Sequence, residues 1–576
     1  MRTDALPRRD WLRLSREWWM YLLIAVAGIV LRVMVPMDIV WGSGHDAQLQ
    51  VVLARNILNG PWLGGELVAD MWIGSQWNLA LAKGVGYPLF LVIVKPTGLS
   101  PVLAAFLVYL IGAFLVARVV RGWFANAWGL VTFAVLVFSP ALYGGEFSRV
   151  YRNNLTAALA LVALGLSLTL ARRLERTRIR VAGVQALRRG DVVLAVLLGL
   201  CFGLLWITRI DVHWIALACG TALAVSGWPL LRRVSSVLRV GAPLLTVLVA
   251  SAIVVPLVVS LVNRAQYGIM AADDYGSGPI AETQLLLSRI DAEAVHPLVH
   301  VNAEQRRKAY AVSPTLSRIA SQLEDPASNW KMNPTTAQGT MGESAGWFSW
   351  ELRDAPVRAG LVYTLADLHR FFATAESELR VACETGRLSC NQRGEFAPGV
   401  RFITEVDAQQ FREQYLLALR VHSRGAGAPN FFNLAPLGIP ELDTLWTDVV
   451  NGVDTKVAPR QMTSPARVFA RLSVVFIFSL LAALVLVAVA LVARRTRPDW
   501  AKCMVGLGCI AGTLVNAFIV TWFSLEIGVT TENNAGYLFA AQSFLYAGLV
   551  ILLAALAQPL LRGEQRLGRA DVEEPA

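Results

Sequence analysis

Apolar runs punctuate this chain at 18–36, 101–120, 124–143, 154–171, 191–208, 213–231, 239–262, 467–493, 501–523 and 535–561. Runs of about 18 to 25 apolar residues are long enough to cross roughly 30 Å of hydrocarbon as helices. The pattern predicts an all-α polytopic membrane protein with about ten transmembrane helices. Two long polar segments interrupt it. In 37–100, Asp46 is followed by Leu49, Val52, Leu53, Ile57 and Leu58 near helical spacing, and Asn59-Gly60-Pro61 stops the run. This predicts an amphipathic helix on the outer membrane surface. The segment 263–466 is long enough to form its own domain, mixed or mainly helical. Its stretch 353–384 predicts one helix, with Leu361, Leu365, Leu368, Phe372 and Leu379 on a face. Three regions result: a transmembrane module over 1–262, a domain over 263–466, and transmembrane helices with a tail over 467–576.

Composition excludes an ordinary soluble chain. Of 576 residues 55% are hydrophobic and only 16% charged, with a mean hydropathy of +0.51, whereas soluble domains carry about a quarter charged residues. The net charge of +11 would suit a nucleic-acid binder were the basic residues spread over a polar face. Instead they flank the apolar runs, at Arg8, Arg9, Arg13 and Arg16, at Arg172, Arg173, Arg176, Arg178 and Arg180, at Arg232 and Arg233, at Arg494, Arg495 and Arg497, and at Arg562 and Arg566. That is the positive-inside pattern. It predicts a bacterial plasma (inner) membrane protein with both termini cytoplasmic and no nucleic-acid partner. The segments 37–100, 144–153, 209–212, 263–466 and 524–534 then lie outside. The first span has no small-residue cleavage site and is expected to remain as an anchor.

Cys201, Cys219, Cys503 and Cys509 fall inside spans, where a thiol behaves as a small apolar group. Cys383 and Cys390 alone lie in the outside domain, with Gly386 between them. In an oxidising compartment this pair predicts a disulfide. The chain has no phosphate-binding glycine loop, dinucleotide fingerprint, His-Glu-x-x-His or Gly-x-Ser-x-Gly. His296 and His300 are separated by Pro297 and have no carboxylate partner in the motif, so they read as surface histidines and no metal site is expected.

Polar residues at the outer ends of spans remain. His45 and Asp46 open the first outside helix; Glu146, Arg149, Tyr151 and Arg152 fill the turn before the fourth span; Arg209 and Asp211 occupy the short turn after the fifth. Each has a plain structural role available: Asp46 as an N-cap, Glu146 with Arg149 as a surface ion pair, Arg209 and Asp211 as interface markers. Their joint placement in the shortest turns favours function, because ionisable groups beside hydrocarbon are costly. Trp347 and Trp350 in Gly346-Trp347-Phe348-Ser349-Trp350 suit interface anchoring or stacking on a sugar.

These residues resemble the GT-C superfamily of integral-membrane glycosyltransferases, relatives of protein mannosyltransferases and aminoarabinose transferases. The resemblance rests on Asp46 followed by Ala54, Leu58, Gly60 and Trp62 in the first outside loop, and on Lys83-Gly84-Val85-Gly86-Tyr87-Pro88-Leu89-Phe90-Leu91 leading into the second span. It covers about 1–262. Members often carry two adjacent acids where this chain has His45 and Asp46, and an arginine before a late span where it has Asn533, Asn534 and Tyr537. The resemblance implies a GT-C-like fold and transfer of a hexose or pentose from a polyprenyl-phosphate carrier to an extracytoplasmic glycan, lipid or protein. Asp46 would be the general base, Glu146 or Asp211 a supporting acid, and Arg149, Arg152 and Arg209 the phosphate ligands. His45, Tyr151, Trp347 and Trp350 would contact sugar or the interface. No cofactor is expected, although a divalent cation is compatible with such chemistry. A lipid or solute transporter or flippase is the alternative class; it would place charged or broken helices near the bilayer midplane, with related halves. A non-catalytic scaffold is the third.

Sidedness is directly testable. Single cysteines placed in 172–190 should resist an impermeant thiol reagent added outside, whereas those in 300–340 should react. The opposite result would invert the topology.

Overall fold

The computed structural model describes residues 8–35, 37, 45–60, 62–63, 80–143, 145–179, 188–209, 213–231, 240–293, 299–328, 330–331, 342–391, 408–423, 446–452, 464–493, 497–526, 531 and 535–570. Helix α1 (Arg8–Met34) is followed by α2 (His45–Asn59), α3 (Gly86–Val94), α4 (Pro101–Trp123), α5 (Asn126–Val137), α6 (Gly145–Ser148), α7 (Arg152–Ile179), α8 (Arg189–Thr208), α9 (His213–Leu231) and α10 (Ala242–Tyr267). Next come α11 (Pro279–Ser288), α12 (Ala303–Val312), α13 (Phe348–Arg358), α14 (Leu365–Glu384) and α15 (Ala408–Ser423), then α16 (Ser464–Ala493), α17 (Trp500–Glu526), α18 (Ala535–Phe539) and α19 (Gln542–Ala570). Among the described residues eight helices are long and apolar enough to cross a membrane. The other two expected spans, 213–231 and 467–493, are helices α9 and α16, and Ile477–Ala493 within α16 is apolar. The chain is thus an all-α, multi-pass membrane protein.

Lipid tails give apolar helices little reason to associate, so the bundle depends on close contact. Helix α4 packs on α7, α8 on α10, and α17 on both α9 and α19. Where α17 crosses α19 the backbones nearly touch: a Cβ on Gly548 would lie 2.7 Å from the Gly506 carbonyl oxygen, so only glycine fits. Helix α10 leaves Leu245, Ile253, Val258 and Leu261 exposed, as a lipid-facing span does. At the basic end of the bundle Arg121 pairs with Glu17 at 2.6 Å, and Lys502 with Glu175 at 2.7 Å. The Trp123 indole also donates to Glu175 at 3.0 Å, so α1 joins α4 and α4 joins α7 and α17 through polar contacts.

Within 263–466, helices α11 to α14 surround a core that includes Leu287, Leu316, Leu352, Leu368, Phe372 and Leu379. Helix α15 packs instead on α17 and α18, and Trp446, Val449 and Val450 pack with α2 and α3. The helix expected over 353–384 is two helices. The chain turns at Gly360, whose φ of 65° is left-handed, and Thr364 restarts it as an N-cap by accepting from the Asp367 N–H at 3.1 Å. Cys383 and Cys390 are joined, with Cα atoms 5.5 Å apart. Their loop is held to the end of α11 by Asp291 N–H donating to Ser389 O at 3.0 Å and Asn391 N–H to Arg289 O at 2.7 Å. His296 lies outside the described residues. His300 is buried rather than on the surface, because Arg306 draws its segment inward by donating to Val301 O at 3.0 Å. Arg306 is itself buried against Glu324 at 2.8 Å and Glu343 at 2.6 Å.

A second buried ionic group joins this small domain to the first polar loop. Asp274 receives Arg353 at 2.5 Å and contacts His369 Nε2 at 2.9 Å, while its backbone N–H donates to Leu81 O at 2.9 Å. Burial alone would raise the Asp274 carboxyl, but the Arg353 charge and the hydrogen bonds from His369 and Arg353 outweigh it and hold it below the ordinary carboxylate value. A depressed folded-state pKa contributes stability that is complete above the unfolded-state value of about 3.9 and is lost as pH falls through the folded value. Asp274→Asn should therefore destabilise the outer domain by about 3–5 kcal/mol, since it strands the buried Arg353. It should also flatten the acid limb of thermal unfolding for the full chain in detergent. A variant with an unchanged acid limb would show that Asp274 does not couple the domain to pH.

Candidate functional site

The polar residues at the bundle end opposite Glu175 converge on the starts of α7 and α18 and the end of α8. The turn before α7 is organised by Asn154, whose side-chain amide donates to Arg149 O at 2.9 Å while the Tyr151 N–H donates to the same oxygen at 2.8 Å. This places Arg149, Tyr151 and Arg152 together, with the Arg152 guanidinium 5.4 Å from the Tyr151 ring centroid. Helix α8 ends at Thr208, and Arg209 leaves it extended, with φ −160° and ψ 130°. That turn sends the Arg209 side chain back into the bundle end, where it is 3% exposed. Its Nη1 donates to Asn153 Oδ1 at 2.8 Å, and its guanidinium lies 4.5 Å from the Tyr537 ring centroid. Arg209 thus reaches the turn that carries Arg149, Tyr151 and Arg152, 50 residues or more away in the chain, and meets Tyr537 from α18 there.

The glycine-containing segment before α3 explains how Arg209 is placed. A Cβ on Gly84 would sit 2.0 Å from Ile207 O, and one on Gly86 would sit 2.3 Å from Thr208 Oγ1. Two glycines let this backbone lie directly on the last turn of α8, and that contact aims Arg209. Tyr87 follows, fully buried, and burial pushes its phenol well above the ordinary range so that it stays protonated.

Helix α2 is covered by protein on two sides. Ala47, Val51 and Ala54 pack with Tyr87, Val150 and Tyr151, while Leu49 and Leu53 pack with Val85 and Ile207. The loop 80–85 and the turn before α7 are folded over it, which hydropathy along one helix does not reveal. His45 and Asp46 form the first turn of α2, beside the Val150–Tyr151 turn through Ala47. Their side chains, the Glu146 side chain and Asp211 lie outside the described residues. Trp350, with Trp347 beside it, joins the apolar cluster that holds Leu49, Leu53, Val85 and Ile207; it meets Trp330 and Tyr275 at 6.5 and 5.8 Å between centroids, and the Lys83 ammonium sits 4.6 Å from its ring centroid.

Arg32 was not among the expected site residues. It is 3% exposed near the end of α1 and donates to Leu142 O at 2.8 Å, Ser148 Oγ at 3.0 Å and Val35 O at 3.2 Å, with Phe147 beneath it at 5.8 Å. It holds the turn that carries α6 and leads to Arg149. The sequence signal that could have found it is an arginine one turn inside the end of an apolar run. Phe147 in turn packs on Phe539 at 5.6 Å, which brings α18 to the site.

Fold and site define a multi-span helical membrane protein with a buried arginine cluster at one end of its bundle. No protein-family model matches the chain, and no curated protein matches it. Among solved structures it is similar to ArnT from Cupriavidus metallidurans in the apo state, at 13% identity and a TM-score of 0.31 over 98% of this chain and 81% of that one. The same protein bound to undecaprenyl phosphate matches at 12% identity and a TM-score of 0.30, over 99% and 82%. The archaeal oligosaccharyltransferase AglB from Archaeoglobus fulgidus, in complex with an inhibitory peptide and a dolichol-phosphate, matches at 13% and 0.34, over 98% of this chain and 53% of that chain. This chain therefore spans about half the length of AglB.

The close glycine contact makes a prediction. Gly86→Val should overpack the α3–α8 contact, cost about 1–3 kcal/mol and displace Thr208 and Arg209. Thermal unfolding together with trypsin accessibility after Arg209 would register both effects, and a variant as stable and as protected as the parent would rule the contact out as the device that places Arg209.

Proposed function

We propose that this chain is a GT-C-like glycosyltransferase that moves a sugar from a polyprenyl-phosphate carrier to an extracytoplasmic acceptor. The observation that carries the reading is the buried Arg209, fixed on Asn153 and stacked on Tyr537, at the turn that carries Arg149 and Arg152 at a bundle end. A guanidinium held in place before a ligand arrives can stabilise charge on a phosphate without reorganising. A carrier lipid keeps its isoprenoid in the bilayer and its phosphate at the interface, which is where a bundle-end site can reach it.

The reaction assigned to this site is a displacement. The acceptor hydroxyl oxygen attacks the anomeric carbon, the bond from that carbon to the phosphate oxygen breaks, and its electron pair leaves with the phosphate. Asp46, in the first turn of α2 next to the Tyr151 turn, takes the hydroxyl proton. Arg149, Arg152 and Arg209 hold the leaving phosphate, and Glu146 or Asp211 supports the sugar. The motif reading of Asp46 and of Lys83 to Leu91 supports the same assignment, since the glycines in that segment contact the residues that precede Arg209.

Asp46→Asn keeps size but cannot accept a proton, so transfer by the purified protein should fall by about a hundredfold to ten-thousandfold with folding unchanged. Arg209→Ala should instead weaken use of the lipid donor by about 10- to 100-fold, the loss expected for one charge-assisted contact. Near-native transfer by Asp46→Asn would move the base to Glu146 or Asp211. A purified parent protein that transfers no sugar from any polyprenyl-phosphate donor to envelope acceptors would sink the reading itself.

A further inference from the structure

Gln50 lies on α2 one helical turn after Asp46 and is fully buried. Neither its Nε2 nor its Oε1 has a hydrogen-bond partner among the described residues. A buried amide unpaired at both ends is destabilising unless something else satisfies it. Helix register says where it points. Ala47, Val51 and Ala54 face Tyr87, Val150 and Tyr151, and Leu49 and Leu53 face Val85 and Ile207. With about 100° per residue, Gln50 projects between these two rows. It is therefore directed at the boundary between the Val85–Ile207 side and Tyr87, which faces Asn154. Asn154 is the chain neighbour of Asn153, which accepts from Arg209, so this boundary adjoins the turn that Arg209 reaches.

We propose that Gln50 reads the sugar ring of the lipid-linked donor, its Nε2 donating to one hydroxyl and its Oε1 accepting from the next. The inference rests on the glycosyltransfer reading above. The chemistry selects the ligand: phosphate oxygens only accept and would leave Oε1 unpaired, and an isoprenoid would pair with neither end. A hydroxyl both donates and accepts, so two adjacent hydroxyls give a partner to each end of the amide. Gln50 thus contributes recognition of the sugar, while Arg149, Arg152 and Arg209 hold the phosphate.

The test uses the full chain in detergent, titrated by native mass spectrometry with undecaprenyl phosphate and with a panel of its hexosides and pentosides. The parent protein should bind at least one glycoside about tenfold more tightly than the bare lipid phosphate. Gln50→Leu should lose that margin, keep its affinity for undecaprenyl phosphate, and unfold at the same or a higher temperature, because it removes an unpaired amide. A margin that survives in Gln50→Leu overturns the role of Gln50 and leaves the glycosyltransfer reading standing. A variant that unfolds earlier and loses both ligands equally also overturns it, since Gln50 would then be structural. A parent protein that binds no undecaprenyl phosphate overturns the glycosyltransfer reading, and the role of Gln50 with it.

Discussion

A guanidinium buried at the end of an apolar bundle must be enclosed by acceptors, because its desolvation is otherwise uncompensated. Arg32 and Arg209 impose this requirement at two points of the same end. Arg32 draws Leu142, Ser148 and the last turn of α1 into one contact. Arg209 draws the end of α8 to Asn153 at the start of α7 and to Tyr537 of α18. Five helices therefore end where these two side chains need them to. The turn between Phe147 and Arg152, fastened at both sides, is held rigidly enough to present charged groups in fixed positions.

The bundle end is closed from above by segments that would not be stable alone. Helix α2 has apolar residues on two faces, and both are covered: one by Tyr87 and the Val150–Tyr151 turn, the other by Val85, Ile207 and the 80–82 loop. The same loop accepts the Asp274 N–H and presents Lys83 to Trp350. The small domain built from α11 to α14 is thereby connected to the arginine cluster through a short, glycine-containing stretch of chain. The buried Asp274–Arg353–His369 group lies where the two parts join.

What could be read directly from the residues was the architecture. Ten apolar runs announced ten helices, since a helix satisfies its own backbone and a run of sufficient length needs no partner to be recognised. Arg149, Tyr151, Arg152 and Arg209 stood out because charge beside hydrocarbon is expensive wherever it occurs. The lone outside cysteines stood out in the same way. Local features of this kind depend on near neighbours in the chain, and sequence reports them. The break at Gly360 was missed because the apolar spacing continues across it, and only the left-handed backbone there ends the helix.

Tertiary structure alone decided which of these groups meet. Arg209 reaches Asn153, 56 residues away, because Gly84 and Gly86 allow a third segment to lie on the α8 terminus. No periodicity predicts that contact, since it depends on the absence of side chains opposite a particular carbonyl. Gln50 belongs to no motif, and its burial follows from two other segments folding over α2. Arg32 stands within an apolar run, and its place in the site follows only from the Leu142 carbonyl and Ser148 that enclose it. The sequence by itself determined the helices and the polar groups at their ends, because backbone hydrogen bonding and hydrocarbon thickness act locally. The site was decided only in three dimensions, because a buried charge or amide takes its meaning from whatever the fold places against it.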